Sequence, residues 1–175
     1  MIEPTYDRWV KKSLVERYRN IVNVLLYLVV ALAAFFYPID RFSHWHSLLQ
    51  TGGLILVLIA MVGRIWCSAH VFGRKSKDLC TDGPHSLCRN PLYIFSFCAG
   101  LGIAAQTGAP LIIVLFTAIS WTYYLAVISA EERRLKHMFG KRYDDYVSST
   151  HRFVPHVEAI THVRFFIFPP ASLRL

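Results

Sequence analysis

Negative charge is scarce in this sequence. There are 11 acidic residues against 19 lysines and arginines, a formal net charge of +8 over 175 residues. Charge of either sign makes up only 17% of the chain, while 54% is apolar. That balance excludes a disordered polar chain and exceeds the apolar share of an ordinary soluble domain. Cysteine is also sparse. Cys67, Cys80, Cys88 and Cys98 include no pair at C-x-x-C spacing. This excludes a secreted disulfide framework. No spacing supports a zinc site from His70, Cys80, His85 and Cys88, so no metal is expected. Internal repeats and low-complexity segments are missing, which excludes a solenoid. The opening "MIEPTYDRWVKKSLVERYRN" mixes charges of both signs with no apolar h-region, so it does not read as a cleavable signal peptide. The basic residues flank apolar blocks and form no single polar stripe. Nucleic acid is therefore not the expected partner, and membrane lipids or an anionic cofactor fit better.

What the chain has in quantity is long apolar runs. A bilayer core of about 30 Å takes roughly 20 apolar residues per helix. Ile21 to Tyr37 is the first such run, and Pro38 ends it. Leu48 to about Val71 is the second, with Arg64 near its end. Leu92 to about Gln106 is the third and Leu111 to about Ala130 the fourth. Thr107, Gly108, Ala109 and Pro110 form a tight turn between the last two, which predicts a helical hairpin. Every lysine and arginine except Arg41 falls before residue 21, in 64–89, or after Ala130. By the positive-inside rule, both termini and the 72–91 loop then face the cytoplasm. The expected fold is all-α: a multi-pass integral membrane protein of four transmembrane helices. An amphipathic interfacial segment (1–20) precedes the four-helix domain (21–130). A cytoplasmic helical segment (131–175) follows and covers a pocket. His44 and His46 beside Trp45 read as an aromatic interface belt on the opposite side.

Polar chemistry concentrates in two places. "GRKSKDLCTDGPHSLCRNP" turns at Asp82-Gly83-Pro84 and leads into the third span. Asn90 suits an N-cap there, and Pro91 suits the first helical position. The second place is "EERRLKHMFGKRYDDYVSST". Glu131 follows a nearly uncharged helix, where a carboxylate is costly unless paired or facing a polar cavity. The nearest cations are Arg133 and Arg134 on its own helix and Arg89 across the hairpin, and pairing with Lys136 along the same helix is the plainer alternative. The segment predicts a helix broken at Gly140. Its apolar stripe of Leu135, Met138, Phe139, Tyr143, Tyr146 and Val147 would lay it over the bundle. The tail "HVRFFIFPPASLRL" either lies on the membrane or completes the roof.

At these residues the sequence resembles a known family. "LCTDGPHSLCRNPLY" is similar to the "LVT-x-GPY-x-x-x-RHP-x-Y" signature of integral-membrane methyltransferases. "EERRLKHMFGKRYDDYVSSTHRFVP" is similar to their ending, "EE-x-x-L-x-x-x-FG-x-x-Y-x-x-Y-x-x-x-x-x-R-x-x-P". These are the isoprenylcysteine carboxyl methyltransferases and phospholipid methyltransferases. The likeness runs from about Lys77 to Pro155. It implies an S-adenosyl-L-methionine site at the cytoplasmic ends of the last membrane helices, roofed by the C-terminal segment. Carried over by position, the cofactor-binding candidates are Lys77, Leu79, Cys80, His85, Asn90, Pro91, Tyr93 and Glu131. Arg89 and Glu131 are the catalytic candidates. Arg89 would hold the methionine carboxylate, and Glu131 would balance the cofactor's positive charge. Three positions depart from the pattern. Asn90 replaces the usual histidine, and His85 replaces the usual tyrosine. Val127 stands where the prenylcysteine enzymes carry an arginine associated with the substrate carboxylate, so a carboxylate acceptor does not carry over.

The resemblance implies methyl transfer from a sulfonium to a lipophilic small molecule or lipid. A carboxylate acceptor needs no base. An amine or thiol needs one, and Glu131, His85 or a tyrosine is within reach of that role. Two other readings stand beside it. One is a catalytically inactive membrane scaffold or transporter subunit of the same fold. The other is a metal or haem protein using His70, His85 and the cysteines.

Overall fold

The structure, a computed structural model, describes residues 14–36, 44–72 and 78–154. Among them the only regular elements are six α-helices. They are α1 (Leu14–Phe36), α2 (His44–Val71), α3 (Pro84–Leu87), α4 (Pro91–Gln106), α5 (Pro110–Phe139) and α6 (Lys141–Ser149). The expected all-α fold is present. The 1–20 boundary falls inside α1 for its last seven residues, while 1–13 lie outside the described residues. The tail 155–175 lies outside them too.

Proline starts three helices, because its missing N–H costs nothing at a first turn. Asn90 occupies the N-cap position of α4 but makes no capping bond with its side chain. The predicted turn joins α4 to α5. Thr107 Oγ1 donates to the Ala104 carbonyl at 2.7 Å, and Gly108 takes φ 64°, a left-handed value that suits glycine. The hairpin is antiparallel: Gly100 meets Phe116, and Phe97 meets Trp121 and Tyr124.

The sequence divided the fourth span from the segment after Ala130. In the structure α5 runs unbroken for 30 residues, past Glu131 to Phe139. A change from apolar to charged side chains does not end a helix. The backbone breaks at Gly140, φ 52°, as expected.

α4 is the central helix: none of residues 91–105 is exposed. α1, α2 and α5 lie around it and turn large apolar side chains outward, among them Val24, Leu28, Leu58, Val62, Val114 and Ile119. An apolar surface of that extent is what a bilayer covers. α2 and α5 are long and apolar enough to cross a membrane. α4 and the Ile21–Val30 part of α1 are shorter apolar helices.

The closest packing is between α2 and α4, where small residues let backbones touch. A Cβ built on Gly102 would sit 2.6 Å from the Gly53 carbonyl oxygen and 2.7 Å from Val57 Cγ2. Gly102→Ala must therefore spread two helices. A loss of about 1–3 kcal/mol is expected, checked by thermal unfolding in detergent, with Gly52→Ala as the control because nothing lies within 4 Å of its Cβ.

At the far end of α2, Trp45 is exposed, as an interface aromatic would be, but His46 is buried against Gly108. It packs on the hairpin turn and does not join a belt.

Candidate active site

The two adjacent glutamates of α5 point to different partners, since successive helical residues are about 100° apart. Glu131 accepts a hydrogen bond from the Tyr93 hydroxyl of α4. Glu132 accepts from Asn90 Nδ2 at 3.1 Å and from Arg152 Nε at 3.2 and 3.1 Å, with Arg152 Nη2 bonded to it as well. Arg89 Nη1 stands 3.8 Å away. Arg89 lies beside Glu132, and Lys136 pairs with Asp144 at 2.9 Å. Asn90 spends its side chain on Glu132, which explains the missing cap.

Glu132 is therefore a tie point. It holds together the start of α4, the body of α5 and the strand of chain after α6. Further bonds close the same frame. The Arg89 backbone N–H donates to the His151 carbonyl at 2.9 Å, and the Tyr146 hydroxyl donates to the His85 carbonyl at 2.6 Å. Arg142 Nη2 reaches Asp78 Oδ1 at 3.2 Å. Tyr143 and Tyr146 are buried beneath α6, and burial raises both phenols, Tyr143 to about 12.

Inside this frame is a cleft. Its walls are Val71, the 78–80 loop, His85, Arg89 to Tyr93, Glu131, Leu135, Phe139 and Tyr146. Counted with its open mouth, the space is about 820 Å³. Every carried-over position that the structure describes lies on it: Leu79, Cys80, His85, Arg89, Asn90, Pro91, Tyr93 and Glu131. Lys77 lies outside the described residues. Within the cleft Cys80 Sγ is 3.4 Å from Asp82 Oδ1 and 3.9 Å from His85 Nδ1. Among the described residues no group of three or more His, Cys, Asp or Glu side chains is arranged to hold a metal ion.

Burial, and after it the charge of His70, pushes the His85 imidazole from 6.5 down to about 4. Burial pushes the Cys88 thiol up to about 11. The unfolded chain protonates at His85 before the folded one does. Stability is then full above about pH 6.5 and falls as pH drops toward 4. A loss of about 2 kcal/mol between pH 7 and pH 5 is expected in urea unfolding, flattened in His85→Gln.

A second cavity adjoins the cleft. It lies between α4 and α5 and is lined by Ile94, Phe97, Trp121, Leu125, Ile128 and Phe153, with the rings of Tyr93 and Tyr124. Its surface is almost wholly apolar. Tyr93, 7% exposed, lines both spaces. Sequence reasoning missed this cavity. Trp121, Phe97 and Phe153 are far apart in the chain, and an apolar helix face gives no sign of which residues leave a gap. Arg152 and Tyr146 were visible as motif letters, yet without their partners no role followed.

The cleft suits an amphoteric, cationic cofactor. Arg89 is a largely buried guanidinium whose Nε has no hydrogen-bond partner among the described residues. Glu131 supplies a carboxylate, and Leu79, Leu135 and Phe139 supply apolar surface.

Taken together, the chain is a membrane protein whose described residues form helices as their only regular elements, with a polar cleft and an adjoining apolar cavity. A family model described as phospholipid methyltransferase matches residues 46–142, and the chain belongs to that family. It is 33% identical over 154 residues to nickel-cobalt-cadmium resistance protein NccN of Alcaligenes xylosoxydans xylosoxydans, covering 85% of this chain and 68% of that protein. It is 38% identical over 112 residues to cobalt-zinc-cadmium resistance protein CzcN of Cupriavidus metallidurans, covering 63% and 51%. It is 28% identical over 134 residues to protein-S-isoprenylcysteine O-methyltransferase of Xenopus laevis, covering 71% and 46%. The chain thus spans about two thirds of the first relative and about half of the other two.

Proposed function

We propose that this protein is an S-adenosyl-L-methionine-dependent methyltransferase acting on a lipophilic small molecule or lipid within the membrane. The observation that carries this reading is the shared wall: the polar cleft and the apolar cavity meet at Tyr93. A charged cofactor and an apolar acceptor need two unlike sites with one point of contact. S-adenosylmethionine would supply an electrophilic methyl group there. Arg89 would hold its carboxylate bidentately, and Glu131 would lie against its positive charge. Glu132, Arg152 and Asn90 would fix the walls, so that reacting atoms are held at about 3–3.5 Å. We further place four spans in the bilayer, with both termini and the cleft cytoplasmic, on the sorting of basic residues.

The test is to incubate the purified protein with methyl-labelled S-adenosylmethionine and extracted membrane lipids. Label passing into the organic phase is expected, and its loss on Arg89→Ala. No transfer to any fraction would favour a second reading, an inactive scaffold or transporter subunit. Two relatives are named as metal-resistance proteins, which points to a role in metal resistance beside either reading.

A further inference from the structure

We propose that a groove between α1 and α2 holds one anionic phospholipid, its phosphate on Arg64. The lipid is a bound neighbour of the helices and not the methyl acceptor. Its binding does not depend on methyl transfer.

Arg64 stands out against its helix. It lies about two turns, or roughly 10 Å, before the end of α2 at Val71. Arg64 is exposed, and so are its apolar neighbours Met61, Val62 and Ile65. A charge within such an apolar band is costly unless it is paired. Among the described residues no carboxylate pairs with it.

What Arg64 has instead is a tether. Its Nη1 donates to the hydroxyl of Ser96, a buried residue of α4. Ser96 passes its own hydrogen to the Leu92 carbonyl at 2.7 Å. A guanidinium tied to a buried serine does not swing out to the interface as a free arginine does. One of its N–H groups is used, and the others call for an acceptor.

The other groups around Ser96 are neutral. From α1 the Tyr27 hydroxyl donates to the Ser96 carbonyl at 3.3 Å. Asn23, one turn earlier on that face of α1, accepts from the Tyr124 hydroxyl through Oδ1 at 3.3 Å, so its amide hydrogens remain as donors. α1 and α2 both pack on α4 but make no contact with each other among the described residues. A groove therefore runs between them with α4 as its floor. Ser96 shares its face of α4 with Leu92, Ala99 and Ile103, which are only half-buried. The floor is thus apolar along its length and suits acyl chains, while Arg64 and Asn23 offer N–H donors from the two walls. With no carboxylate in the set, the ammonium of a zwitterionic lipid would go unpaired. The ligand that fits is a phosphodiester lipid with no cation, of the phosphatidylglycerol kind. The apolar cavity beside Tyr93 is a separate place, since Arg64, Ser96, Tyr27 and Asn23 do not line it.

The test is a lipid competition. The detergent-purified protein is stripped of lipid and offered equal amounts of phosphatidylglycerol and phosphatidylcholine, and retained lipid is read by native mass spectrometry. One phosphatidylglycerol per chain should be kept, preferred at least about fivefold. Arg64→Gln should abolish the preference, and Arg64→Lys should keep part of it. Arg142→Gln, which removes an exposed charge from α6, should keep all of it. Inorganic phosphate in excess should not displace the lipid. Equal retention of the two lipids, a preference that survives Arg64→Gln, or displacement by phosphate alone would overturn the proposal. Should Arg64→Gln fail to fold, Ser96→Ala removes the tether and must lower the preference, and an unchanged preference there overturns it as well.

Discussion

Glu131→Ala is expected to weaken S-adenosylmethionine binding by roughly 30- to 150-fold, about 2–3 kcal/mol, and to reduce methyl transfer at least as much. The carboxylate lies on the cleft wall with Tyr93 bonded to it. On the proposed function, removing it takes away the carboxylate that would balance the cofactor's positive charge. Stability should change little, by about 1 kcal/mol for the lost hydrogen bond. The side chain is half-buried on the cleft wall. Calorimetry for binding and thermal unfolding for stability separate the two effects. An equal fall in both would place Glu131 in the frame and not in the site.

The neighbouring residue should behave the opposite way. Glu132→Ala leaves Arg152, Arg89 and Asn90 without their shared acceptor. Breaking a buried pair by removing one partner costs about 3 kcal/mol or more. Arg152 is one-third exposed, so the lower end is expected here. The segment after α6 should loosen first, seen as faster proteolysis near residue 152 and a lower unfolding midpoint. Arg152→Ala should cost a similar amount. The double variant should cost clearly less than the sum, because both single changes break one interaction. Full additivity would mean that the pair does not act as a unit.

The contrast between these glutamates marks where the sequence was legible and where it was not. "EE" stands out against an uncharged helix, and its need for a partner follows from solvation alone. Which glutamate pairs with what does not follow, because Arg152 lies beyond the break at Gly140 and a helix of unknown direction. Several elements were readable: the proline start at 91, the turn at 107–110 and the break at Gly140 all have local causes, whereas Pro84 and Pro110, read as turn residues, each open a helix. The unbroken length of α5 was not, since the onset of charge at residue 131 suggested an end that no glycine or proline enforces. The cleft was legible as two motifs. The cavity behind it was not, because it depends on how Phe97, Trp121 and Phe153 pack across the hairpin.

The measurement that bears most directly on the central claim is calorimetric titration of S-adenosylmethionine into the purified protein, supplied with lipid. Saturable binding at one site per chain, lost in Glu131→Ala and retained in the exposed-surface variant Lys141→Ala, is the predicted result. A folded protein that gives no heat of binding, or one that binds equally well without Glu131, would contradict it.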